Sequence, residues 1–100
     1  MINDALRLLR LYLGLSQQQI AKELDLSQSM ISEIENGSKS VSMDVLQRYS
    51  SSFNIRVSQL MFFAEELEEN PPKKKGKLII ANRVLKLLDA LAPREIADAT

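Results

Sequence analysis

Residues 15–37 read Leu-Ser-Gln-Gln-Gln-Ile-Ala-Lys-Glu-Leu-Asp-Leu-Ser-Gln-Ser-Met-Ile-Ser-Glu-Ile-Glu-Asn-Gly. Two helix starts are legible in this stretch. Ser16 is followed three residues later by Gln19, a reciprocal capping box in which each side chain satisfies the other residue's free backbone N–H. Ile20, Ala21 and Leu24 then fall on one face at helical spacing. Asp25-Leu26 leaves room for only a tight connection. Ser27 caps the next helix, whose inward face is Ile31 and Ile34. Asn36-Gly37 ends it, because glycine accepts the left-handed backbone that follows a helix. The stretch therefore predicts two short capped helices joined by a turn.

Outward from this unit the helix signals continue. Asn3 is positioned to cap a first helix, with Asp4 in its first turn and Leu6, Leu9 and Leu13 at helical spacing. Gly14 stops it. After a loop at 38–41, Ser42 caps a fourth helix with Val45, Leu46, Tyr49 and Phe53 inward, and Asn54 ends it. A fifth is expected from about Val57 to Glu69, with Leu60, Phe63 and Leu67 inward. Asn70-Pro71-Pro72 terminates that helix, since proline lacks the N–H and restricts the residue before it. Lys73 to Lys77, with Gly76, reads as a solvated linker. Residues 78–91 fit one more amphipathic helix, with the stripe Ile80, Val84, Leu87, Leu88 and Leu91. The expectation is an all-α chain. Residues 1–69 form a five-helix domain, 70–77 a Pro/Lys linker, and 78–100 a C-terminal helix suited to dimerisation.

Composition limits the chemistry. The 100 residues are 45% hydrophobic and 26% charged, as in an ordinary globular chain with one modest core. With no cysteine, disulfides and thiolate metal sites are excluded, and with no histidine the commonest general base and metal ligand is missing. Nothing resembles a glycine-rich phosphate loop. No enzyme activity, metal or cofactor is expected. There is no signal-peptide pattern and no run of 18 apolar residues, so the expectation is a cytoplasmic protein without membrane contact.

Net charge is zero, with Lys and Arg together matching Asp and Glu. The distribution is uneven. Glu65, Glu66, Glu68 and Glu69 are followed at once by Lys73, Lys74, Lys75 and Lys77. The lysine run has two readings, a solvated linker or an arm on DNA.

The stretch at 15–37, continued through Ser42-Met43-Asp44-Val45-Leu46 to Phe53-Asn54-Ile55 and Leu60, resembles the phage-repressor and Cro-like helix-turn-helix family of XRE-type regulators. The resemblance covers roughly residues 3 to 63. It implies a lambda-repressor-like five-helix fold that binds double-stranded DNA. In that family the second helix of the pair lies in the major groove, with its first residues against base edges. The resemblance gives Gln17 a phosphate contact, with Gln18 beside it. It places Ser27, Gln28, Ser29, Ser32 and Glu33 toward the groove. Asn36 and Lys39 fall where the chain approaches the DNA backbone. Arg10 and Glu35 match a partly buried structural ion pair.

The side chains add their own chemistry. Gln28 can hydrogen-bond adenine in two places, and Glu33 can accept from cytosine but is repelled by phosphate. Each also has a plain reading as an exposed helix residue. Leu9 stands where family members often carry a polar or basic residue, and Arg56 replaces a hydroxyl cap.

The first helix is apolar around most of its circumference, leaving Leu8, Leu11 and Tyr12 in want of cover. The stripe at 80–91 can supply it, either within the same chain or from a second subunit. The function expected is a sequence-specific regulator, a repressor acting as a homodimer on a palindromic operator. The alternative is an antitoxin or other protein-interaction module, whose main partner is a toxin or anti-repressor and for which DNA is secondary.

Overall fold

A computed structural model describes residues 2–70, and these are all-helical, without strands. α1 spans Ile2–Leu13, α2 Gln17–Leu24, α3 Gln28–Asn36, α4 Met43–Phe53 and α5 Val57–Glu69. The linker expected at 71–77 and the helix expected at 78–91 lie outside the described residues.

The caps set the boundaries. Ser16, Ser27 and Ser42 each accept a hydrogen bond from the backbone N–H three residues on, at 3.1, 3.1 and 3.2 Å. Gln19 completes the box by accepting from the Ser16 N–H. α5 starts without a hydroxyl, at Arg56. There Gln59, itself buried, turns its side chain back to accept from the Arg56 N–H at 2.7 Å. Gln59 thus plays at α5 the part Gln19 plays at α2, while its own N–H donates to the Arg56 carbonyl rather than to a hydroxyl cap. Four helix ends pass into left-handed backbone. Gly14 (φ +74°) and Gly37 (φ +83°) do so without steric cost, whereas Asp25 and Asn54 are side-chain-bearing residues held at φ +56° and +53°.

The core is built from one face of every helix. Ala5, Leu6 and Leu9 meet Ile20 and Leu24, Ile31 and Ile34, Val45 and Tyr49, and Leu60, Phe63 and Leu67. α1 packs on α5 and α3, α2 on α3 and α4, and α4 on α5. α1 is thus the central strut on which the α2–α3 pair is mounted.

Two readings of α1 change. Asn3 lies inside the helix rather than at its cap. Its Nδ2 donates to the carbonyl of Ile34 at 2.7 Å and of Lys39 at 3.1 Å. Leu9 is buried, in keeping with its place in the Leu6, Leu9, Leu13 spacing. Leu8 and Tyr12 are half-buried against the domain's own core, and Leu11 is half-buried. The apolar surface left open on α1 is therefore smaller than the sequence pattern suggests. The exposed large apolar side chains among the described residues are Met43, Met61 and Phe62, on α4 and α5.

Candidate nucleic-acid interface

α2 and α3 present a shallow, open depression lined by Gln17, Gln28, Ser29, Ser32 and Glu33. The local sequence puts them there. Ile31, Ile34 and Glu35 turn one face of α3 inward, so Gln28, Ser29, Ser32 and Glu33 fall on the other. Gln28, Ser29 and Glu33 are exposed, and Gln17 and Ser32 are half-buried at the edges. Gln18, on the first turn of α2, is exposed but does not line the depression. Ser27 is committed as a cap through Oγ.

The first turns of α2 and α3 border this depression through Gln17, Gln28 and Ser29; the third N–H of each is taken by its serine cap, and neither turn carries an acidic side chain. A helix N-terminus without a carboxylate of its own keeps its partial positive charge available to an outside anion. Farther along, Asn36 is exposed and folds the following turn by accepting from the Ser38 N–H at 2.8 Å. Lys39 is exposed, and its backbone is pinned on both sides. Its N–H donates to the Glu33 carbonyl, and its own carbonyl accepts from Asn3.

Beneath the depression lies a buried polar cluster. Arg10 donates through Nε to Glu35 Oε2 at 2.7 Å and through Nη2 to Oε1 at 2.9 Å, a two-pronged pair nearly closed to solvent. Arg10 Nη1 donates to the Leu15 carbonyl at 2.8 Å, tying the segment that leads into α2. Glu35 Oε1 also accepts from Gln17 Nε2 at 3.2 Å. The Gln17 side chain at the edge of the depression is therefore held by the carboxylate of the ion pair. Close by, the Tyr49 hydroxyl is buried without a hydrogen-bond partner among the described residues. Burial pushes its phenol well above the ordinary value, the Glu35 carboxylate adds to the rise, and Arg10 partly offsets it.

Two positioning residues escape a reading of the sequence. Asn3 clamps α1 to the end of α3 and to the Lys39 turn. Arg48, on α4, donates through Nη1 to the carbonyls of Leu24 and Asp25 at 3.0 and 3.1 Å, while Nε pairs with Asp44 at 3.2 Å. Ser52 adds a bond to the Glu23 carbonyl at 3.4 Å. The unsatisfied carbonyls at the end of α2 are thus taken by α4, with a cation at the negative end of the helix. The Asp44–Arg48 spacing of four is legible in the sequence, but the carbonyls that Arg48 reaches are not. Among the described residues no group of His, Cys, Asp or Glu is arranged to hold a metal. No helix among them is long and apolar enough to cross a membrane.

Comparison with known proteins agrees with this geometry. A family model described as helix-turn-helix matches residues 6–60. The chain is 39% identical over 67 residues to the competence pilus inhibition repressor of Acinetobacter baylyi, covering 67% of this chain and 61% of that one. It is 35% identical over 50 residues to control protein C.BamHI of Bacillus amyloliquefaciens, covering 50% of this chain and 62% of that one. The chain thus spans about three-fifths of the length of these two relatives. No solved structure matches.

Proposed function

The chain belongs to the XRE-type helix-turn-helix family of DNA-binding regulators, and on that premise we propose that it is a repressor that binds a palindromic operator as a homodimer. The observation that carries this reading is the open polar depression on α2 and α3, set between two helix N-termini that carry no carboxylate. Gln17 and the start of α2 anchor a phosphate. Gln28, with Ser27, Ser29 and Ser32 around it, reads base edges in the major groove, and Gln28 takes adenine. Glu33 takes a cytosine amino group. Asn36 and Lys39 approach the backbone past the end of α3. Repression is by occupancy of a site that overlaps a promoter, and the relative named as a repressor favours this over activation.

Charge favours two copies. Residues 1–70 hold six basic and ten acidic side chains, a formal balance of −4. Phosphate attraction from such a surface is small, and it supplies most sequence-independent affinity. Two linked heads on a two-fold site recover affinity by raising the effective concentration of the second.

Selection of bound duplexes from a random pool tests the reading. It should return two half-sites related by a dyad and separated by about one helical turn. A pool that returns no enriched sequence refutes it. The acidic balance also favours a second reading, a module whose main partner is a protein such as a toxin or an anti-repressor. That reading predicts a stoichiometric, non-identical partner and duplex binding too weak to select a site.

A further inference from the structure

Met61 and Phe62 of α5 are 36% and 39% exposed, although their neighbours Leu60, Phe63, Ala64 and Leu67 are buried. Residues four apart on a helix are stacked neighbours. Glu65 and Glu69 therefore continue the row begun by Met61, and Glu66 the row begun by Phe62. The outer face of α5 is an apolar step that runs into carboxylates. Such a face fits an amphipathic segment with an apolar stripe and basic residues at one end.

The chain itself carries that segment. The zero net charge divides into two opposed halves: residues 1–70 sum to −4, and residues 71–100, with seven basic and three acidic side chains, sum to +4. The lysine run at 73–77 leads directly into the stripe at 80–91.

Length agrees as well. Eight residues, 70–77, separate the end of α5 from the stripe segment, within the range of about 2–8 usual for helix–helix connections. Phe62 lies seven residues before the end of α5, about 10 Å along its axis. A helix starting at residue 78 and returning antiparallel reaches that level at about residue 85. In that arrangement Val84, Leu87 and Leu88 would surround that point, and the lysines would stay at the glutamate end.

We propose that the Met61–Phe62 face of α5 is a docking surface for residues 78–91 of the same chain, with the lysine run lying against Glu65–Glu69. The same chain is favoured over a second copy because the tether holds the segment at an effective concentration of about millimolar. The lysines are then neutralised by the domain and are not an arm on DNA.

The absence of cysteine makes a direct test available. In the full chain, Met61→Cys with Leu87→Cys is compared on oxidation with Met61→Cys with Asp89→Cys, whose second thiol lies off the stripe. The first pair should cross-link within one chain at least tenfold faster than the control, at a rate independent of protein concentration. Cross-linking mainly to dimer mass, rising with concentration, assigns the stripe to a second copy and overturns the proposal. Equal rates for the two pairs also overturn it. A separate measurement uses Phe62→Glu, a change at an exposed position. Tryptic cleavage after Lys73–Lys77 should accelerate at least tenfold, and unchanged cleavage overturns the proposal.

Discussion

Glu33 and Glu35 are two residues apart on α3, one exposed on the polar depression and the other buried beneath it. Both regions are polar, and both use glutamine and carboxylate side chains. In the depression, water meets the needs of Gln28 and Glu33, so the fold does not depend on them. In the buried cluster, Arg10 and Gln17 are the partners that satisfy Glu35 among the described residues. The same chemistry is available to a ligand where it faces solvent and holds the fold together where it does not. Gln17 belongs to both, since its Nε2 is held by Glu35 at the edge of the depression.

That contrast can be broken by mutation, and the buried side should break hardest. Glu35→Ala leaves the Arg10 guanidinium buried without its partner and should cost about 3–5 kcal/mol of stability. Denaturant unfolding would show this as a large fall in midpoint at unchanged slope. A loss under about 1 kcal/mol would mean that the pair is solvated and that the contrast is false. On the exposed side, Gln28→Ala should leave the midpoint unchanged and weaken binding by about 1–3 kcal/mol at one base position. Competition among single-base operator variants reads that directly, and a uniform loss across sequences would reassign Gln28 to the backbone. Gln17→Ala should instead weaken binding to all sequences alike.

Ser27→Ala tests the boundary between the regions. As a cap its loss should cost about 1 kcal/mol of stability. If Ser27 also touches a base, selectivity falls in addition, so thermal and operator titrations separate the two roles.

The smallest effect is expected at Tyr49. Its hydroxyl makes no hydrogen bond among the described residues, so Tyr49→Phe should be neutral or stabilising by less than about 1 kcal/mol. Alkali sharpens this. The folded phenol holds its proton above the ordinary value of 10.0, so between the unfolded and folded values the native state binds more protons. Stability therefore falls as pH rises past about 10, where the unfolded phenol ionises. Tyr49→Phe should resist alkaline unfolding better than the parent, and identical alkaline midpoints would show that the hydroxyl is solvated.

The sequence was most legible where interactions are local. Ser16, Ser27 and Ser42 cap helices through bonds three residues long, and a pattern with that reach is visible in one dimension. The inward residues of α3 and α5 follow from helical spacing. Asn3 was misread because a polar residue near a helix start looks like a cap, while its actual partners lie 31 and 36 residues away. Arg48 was passed over for the same reason, since the carbonyls of Leu24 and Asp25 come near only when α4 packs on α2. Leu8 and Tyr12 looked bare because the spacing of one helix does not show how much its neighbours cover.

By itself, then, the sequence determined the five helices, the caps of α2, α3 and α4, most of the inward stripe of each helix, and the α2–α3 pair with its outward glutamines and serines. Each depends on contacts within about four residues of chain, which the order of residues encodes directly. The family resemblance already implied the Arg10–Glu35 pair; tertiary structure alone decided that Gln17 donates to it, and that Asn3 and Arg48 clamp the ends of the α2–α3 pair. It also decided that Leu8 and Tyr12 are half covered by the domain's own core and that Met61 and Phe62 stand exposed on α5. Those outcomes depend on which surfaces meet across tens of residues, and burial changes what a given polar or apolar side chain does.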